Sequence, residues 1–182
     1  MSHPFSLSQL GWKVFYQQQL SLEEWEAYTP CRVMTQHRSS LELISESGQF
    51  SVPTTGNTPD LTVGDWVLAD ENKVFIRALE RLSLFSRKAS GSKVSTQLIA
   101  ANIDTLFVVC SLNHDFNLSR IERYLALANE SDVEAVIVLS KADCCEDPSS
   151  FIEQAQSLDP LMAVEAVNGL DSNGVEVLKP WC

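Results

Sequence analysis

The chain has 182 residues, 45% of them hydrophobic and 20% charged, with a formal net charge of -11. Those figures suit one large globular domain or two small ones and exclude an intrinsically disordered chain. No apolar run approaches the ~18–20 residues that span a bilayer, and the first ten residues carry no basic-then-apolar secretory pattern. Five cysteines (Cys31, Cys110, Cys144, Cys145 and Cys182) form no CxxC pair. An odd count without ligand spacing predicts reduced thiols in a cytoplasmic protein and no metal site, with Cys144-Cys145 as loop thiols.

The charge is unevenly spread. Residues 1–101 hold nine Lys and Arg against ten Asp and Glu, whereas residues 102–182 hold four against fourteen. Within the first part, Lys73, Arg77, Arg81, Arg87, Lys88 and Lys93 face Glu80 alone across residues 73–93. That stretch reads either as a local footprint for phosphate or as a solvated strand face and linker.

Residues 1–30 read as a weakly amphipathic helical extension. Ser21 followed by Glu24 is a capping-box signature, and Pro30 closes the segment. From residue 31 the period changes to two. Cys31–Thr35, Leu41–Ile44, Gln49–Val52, Asp65–Ala69 and Lys73–Arg77 are short strands separated by Gly, Pro, Asn and Asp turns. Five short strands across 31–88 predict a small closed all-β barrel, because closure hides the edges such strands expose. An OB-fold is the leading form and an SH3-like barrel its rival. Residues 80–101 read as a basic, Ser-rich connector, with 89–101 as the linker proper.

Beyond residue 102 the texture alternates. Thr105–Cys110 is an apolar strand of the kind buried on both faces. Asn117 caps a helix carrying Leu118, Ile121, Leu125 and Ala128 on one face. Ala135–Leu139 is a second buried strand, and Asp147-Pro148 opens a helix as N-cap and first residue. Leu161–Val164 is a third strand, and Ser172–Leu178 a short last helix. Strand and helix in alternation predict a parallel α/β sheet.

Ligands of open parallel sheets bind beyond the carboxyl ends of the strands. There the chain places Ser111–Asn117, then Ser140-Lys141-Ala142-Asp143, then Glu165–Asn168. The middle set matches the pattern [NST]KxD. A carboxylate at Asp143 can accept two hydrogen bonds from the N1–H and exocyclic amine of guanine, a donor pair that adenine lacks on that edge. Lys141 can lay its aliphatic stem over the ring, and Ala166 can offer a backbone N–H to the guanine O6. Four residues are a short pattern, and their weight comes from their place after a buried parallel strand. The chain contains no G-x-x-x-x-G-K-[ST] phosphate loop. His3, His37 and His114 read as surface or loop residues without a catalytic role.

A base-recognition motif preceded by a β-barrel resembles the circularly permuted, ribosome-dependent GTPases of small ribosomal subunit biogenesis. The resemblance is carried by Val63-Gly64-Asp65-Trp66-Val67 and by Arg81-Leu82-Ser83-Leu84-Phe85-Ser86-Arg87-Lys88. It continues through Ala100-Ala101-Asn102-Ile103-Asp104, Asp115-Phe116-Asn117, Arg123-Tyr124-Leu125, Ser140–Asp143, Val167-Asn168-Gly169-Leu170-Asp171 and Gly174–Leu178. It implies an OB-fold that binds the small subunit's rRNA, followed by a GTPase domain using GTP or GDP with Mg²⁺. A later domain would bind Zn²⁺. On this resemblance residues 102–182 are the first part of the GTPase domain and the chain stops short of the phosphate loop. Switch regions and metal ligands would then lie in sequence not present, and no residue here would be catalytic. Two residues depart from the family pattern: Ser140 stands in place of Asn, and Glu165-Ala166 in place of Ser-Ala.

Three functions are therefore open from the sequence. The first is a ribosome-stimulated GTP hydrolase of which this chain, by itself inactive, carries Ser140, Lys141, Asp143 and Ala166 for the guanine. The second is a non-enzymatic RNA- or ribosome-binding module using Arg32, Arg38, Trp66, Phe75, Arg77, Arg87 and Lys88. The third is a small-molecule site at the strand ends. Expected partners are the small ribosomal subunit, its rRNA and a guanine nucleotide, with no membrane.

Overall fold

The computed structural model describes residues 5–56, 58–88, 96–113 and 115–182. Lys93, Asn57, His3, His114 and most of the expected linker core (89–95) lie outside the described residues, as does the Lys88 side chain. The chain divides into two compact units, Met1–Ile103 and Asp104–Cys182.

In the first unit, helices α1 (Val14–Gln17) and α2 (Leu22–Ala27) precede five strands. The capping box forms: Ser21 Oγ accepts from the Glu24 N–H at 3.1 Å, and Glu24 Oε2 accepts from the Ser21 N–H at 3.0 Å. The strands are β1 (Thr29–Gln36), β2 (Ser40–Ser45), β3 (Gly48–Pro53), β4 (Trp66–Ala69) and β5 (Phe75–Ala78). They form one antiparallel sheet in the order β3-β2-β1-β4-β5. Three hairpin-linked strands with a fourth returning beside the first make a Greek key. Pro30 sits in β1 opposite Leu68 and ends no helix, since α2 has already stopped at Ala27.

The expected closed barrel is not closed: β3 and β5 are the two edges of this sheet. The physical reason lies in what covers the two faces. Cys31, Val33, Leu41, Leu43, Val52, Leu61, Val67 and Ala69 pack together on one face. The other face (Ile44, Trp66 and Leu68) is roofed by Leu10, Tyr16 and the half-buried Leu7, Trp12, Phe15 and Leu20. The N-terminal segment therefore does for that face what a continuing sheet would do, and β5, only 4 residues long, gives little edge to pair.

The connector expected over 80–101 contains an antiparallel ribbon of β6 (Leu84–Lys88) and β7 (Thr96–Ala101). Phe85 and Ala101, both buried, are the apolar positions that the Ser-rich composition masked. The ribbon is bonded to the loop before β4. The Ala101 N–H donates to Val63 O at 2.9 Å, Thr62 Oγ1 to Ile99 O at 3.1 Å, and Asn102 Nδ2 to Gly64 O at 3.0 Å. Gly64 has φ +92° and its backbone runs so close that a Cβ there would stand 2.0 Å from Ala101 O. Side-chain bonds of Asn102 to Gly64 and Leu82 keep it within this unit, past the boundary at 102 that the sequence suggests.

The second unit is a three-stranded parallel sheet in the order β10-β9-β8, formed by β8 (Thr105–Ser111), β9 (Glu134–Ser140) and β10 (Ala163–Val167). Helix α3 (Leu118–Glu130) is capped by Asn117, whose Oδ1 accepts from the Arg120 N–H at 2.9 Å. Helix α4 (Ser149–Gln156) has Pro148 as its cap, one residue later than expected, while Asp147 Oδ1 accepts from the Ser149 N–H. Ile121, Leu125 and Ala155 from the helices close over Val108, Cys110, Ile137 and Leu139. Central β9 is buried on both faces; β8, an edge strand, leaves Val109 61% exposed. The third strand starts at Ala163 because Asp159 Oδ1 accepts from the Leu161 N–H and holds Leu161 in a turn. The last helix is a 3₁₀ segment over Glu176–Trp181.

Candidate functional site

The three parallel strands end together. Ser140 lies in register with Ser111 on one side and Val167 on the other, and its carbonyl accepts from the Leu112 N–H at 2.9 Å. The apolar run Val136–Leu139 anchors this end, so the residues after it emerge at a fixed point on the carboxyl edge of the sheet. Lys141 then adopts φ 60°, ψ 39°, a left-handed conformation that costs a non-glycine residue about 1–2 kcal/mol. This kink starts a 3₁₀ turn over Ala142–Cys144, closed by the Cys144 N–H donating to Lys141 O at 3.0 Å. Backbone strain of this kind gathers at working sites.

Asp143 is exposed on that turn. The Cys144 thiol donates to Asp143 Oδ2 at 3.5 Å, and this bond together with the carboxylate charge pushes the thiol pKa up. Cys145 points the other way and packs against the core. In the neighbouring loop, Arg120 grips Asp115: Nη1 donates to Oδ1 at 3.0 Å and Nη2 lies 2.8 Å from Oδ2. The Arg120 hydrogen bond holds the Asp115 carboxyl below the usual range, and the positive charges of Arg120 and Lys141 push the same way. Sequence reasoning placed Asp115 in the first strand-end loop and in the family resemblance without giving it a role, and it passed over Arg120. Their spacing, five residues across a helix cap, was the available signal.

Ala166 lies inside β10, opposite Leu139, and the loop it was expected to occupy begins at Asn168. It still stands beside the corner, because the next residue, Val167, is in register with Ser140.

A family model described as RsgA GTPase matches residues 78–182, more than half of the chain. The chain belongs to the RsgA GTPase family. It is 58% identical over 176 residues to the "Small ribosomal subunit biogenesis GTPase RsgA 2" of Vibrio parahaemolyticus, covering 97% of this chain and 49% of that protein. It is 55% identical over 181 residues to the protein of that name from Vibrio vulnificus, covering 100% and 52%. The chain thus spans about half the length of the curated relatives it matches. Among solved structures, YjeQ from Thermotoga maritima superposes with a TM-score of 0.63 at 18% identity, over 85% of this chain and 56% of that one. YloQ, described as a circularly permuted GTPase, gives 0.59 at 19% identity, over 84% and 56%. These likenesses support the mixed fold of an antiparallel sheet and a parallel one.

Against that family background the expected RNA contacts sort themselves by exposure. Trp66 is 1% exposed under the N-terminal roof and is no stacking platform. Arg32 lies over the Trp66 ring and donates to the carbonyls of Leu10 and Asn102. Arg77 is held by Glu24 at 2.8 Å and by Gln19 O at 2.7 Å. Phe75 is half-buried against the sheet core. These four side chains are occupied by the fold itself. Arg38 is exposed at the β1–β2 turn, and Arg87 is exposed with a bond to Gln97 at 3.0 Å.

Among the described residues no group of three or more His, Cys, Asp or Glu is placed to hold a metal ion. No helix among the described residues is long and apolar enough to cross a membrane.

Proposed function

We propose that the complete protein is a GTP hydrolase of small ribosomal subunit maturation, and that this chain supplies its guanine-recognition corner. The observation that carries the reading is the strained turn at the end of β9, which presents Asp143 to solvent beside two aligned strand ends. Asp143 accepts the guanine N1–H and amine protons, the Lys141 stem covers the ring, and Ser140 and the Ala166 backbone border the O6 side. Among the described residues no cluster of His, Cys, Asp and Glu is placed to hold a metal ion, and in this proposal the part played by the chain is recognition of the base.

The first unit, with its Greek-key sheet, is the rRNA-binding element in this proposal, an OB-fold of the partly open kind. Arg38 and Arg87, with Lys88, are its candidate phosphate contacts. RNA affinity is then expected to fall with rising salt, each lost phosphate contact reducing the slope by roughly one. A salt-independent affinity would remove these residues from the account. A module that binds the ribosome through this unit without hydrolysis at any length is the alternative.

The deciding experiment follows amide shifts of the 182-residue chain during titration with GMP and with AMP. GMP is expected to move the resonances of Lys141, Asp143 and Ala166, while AMP leaves them in place. Equal responses to both nucleotides, or none to either, would reject the guanine reading. Addition of small ribosomal subunits and GTP to this chain is expected to release no phosphate.

A further inference from the structure

Lys141 emerges from a backbone conformation that nothing in its own side chain favours, at the exposed rim of a sheet. A flexible four-carbon stem there loses considerable rotamer freedom if it is to lie flat on a ring. Something must hold its far end. Asp143 is committed to the base, and its second oxygen already receives the Cys144 thiol.

The loop between β8 and α3 brings a second carboxylate to this rim. It is tied to the corner by the Leu112 N–H on Ser140 O, and to itself by the Cys110 thiol donating to Asp115 O at 3.3 Å. Arg120, rooted in the first turn of α3 behind the Asn117 cap, takes both Asp115 oxygens and also donates from Nη2 to Cys110 Sγ at 3.4 Å. A guanidinium fork of this kind fixes the plane of a carboxylate and leaves its outer lone pairs free. Ser111 and Ser140 are in register, so the loop that carries Asp115 and the turn that carries Lys141 leave the sheet side by side, and the Lys141 charge pushes the Asp115 carboxyl down, as that neighbourhood requires.

Building on the guanine reading, we infer that Asp115, oriented by Arg120, is a positioning residue that holds the Lys141 ammonium so that its stem lies across the base. Asp115 touches no part of the nucleotide; its effect passes entirely through Lys141. The Arg120 fork keeps Asp115 in place when no ligand is bound, so the acceptor for the ammonium is preset before the base arrives.

A double-mutant cycle on the 182-residue chain tests this, with GMP as the probe, AMP as the control and amide shifts as the readout. Asp115→Asn keeps an acceptor for Arg120 and removes the charge. It is expected to weaken GMP binding about threefold to fivefold in the unaltered chain and to have no further effect in a Lys141→Met background. A loop-stiffening role would weaken binding equally in both backgrounds, and that result overturns the inference. Asp143→Asn separates this failure from failure of the underlying reading. If GMP binding disappears in Asp143→Asn while Asp115→Asn is silent or additive, the positioning role alone falls. If the unaltered chain shows no preference for GMP, the guanine reading falls and takes this inference with it.

Discussion

The two units spend their polar side chains in opposite ways. In the first, charged and amide groups are turned inward: Asp65, 1% exposed, receives a fork from Arg81 at 2.7 and 2.8 Å and accepts from the Thr62 N–H at 2.8 Å. Asn102, 6% exposed, stitches the β6–β7 ribbon to the Greek key. In the second, the buried side chains among the described residues are apolar or cysteine, and Asp115, Lys141 and Asp143 of the candidate site stand exposed at the carboxyl rim. The difference shows where each unit can tolerate change. A charge-removing substitution in the first strikes the framework, and in the second it strikes the site while the framework stands.

Gly64→Ala probes the framework most severely, because the new Cβ would meet Ala101 O at 2.0 Å in a left-handed backbone. A loss of about 4 kcal/mol or more is expected, read as a lower urea midpoint for the first unit with the β8–β9–β10 unit unchanged. A variant as stable as the parent would break the claim that the ribbon is locked to the sheet there. Asp65→Ala leaves Arg81 and the Thr62 N–H without their acceptor and is expected to cost about 2–3 kcal/mol. The same measurement checks it, and a cost below ~0.5 kcal/mol would put this pair among ordinary surface salt bridges.

Asp143→Asn sharpens the other side of the contrast. The side chain is exposed on the turn, so the melting curve is expected to hold within ~0.5 kcal/mol while the GMP response is lost. Destabilisation together with that loss would make Asp143 a framework residue. The smallest effect concerns Glu24, whose bond to Arg77, aided by the Ser21 N–H, lowers its carboxyl pKa from 4.5 to about 2. Because the folded pKa is depressed, its contribution is present above 4.5 and lost as pH falls toward about 2. Carboxyl resonances should show that low midpoint, and Arg77→Met should return it toward 4.5.

Local chemistry made much of this legible. The capping box at Ser21, the Asn117 cap and the apolar run Val136–Leu139 each rest on neighbours within a few residues, and each forms where the pattern puts it. Four of the first unit's RNA-contact candidates are taken up by the fold for a reason that no local pattern carries. Trp66 and Arg32 read as binding groups until Leu10, Tyr16 and Trp12 are seen to cover them. Likewise the Ser-rich composition of 80–101 hid a ribbon whose partners lie near residue 63. At the corner, the motif located Ser140 to Asp143, but the Lys141 kink and the Asp115–Arg120 clamp depend on a neighbouring strand end.

The stitch at Gly64 also bears on the order in which the protein is made. Val63 O waits for the Ala101 N–H and Gly64 O for the Asn102 amide, donors separated from their acceptors by 38 residues. At ~5–20 residues per second, a ribosome needs several seconds to pass from one partner to the other. Through that interval the nascent Greek key carries an open carbonyl seam, and only when Asn102 has emerged can the first half of the chain close.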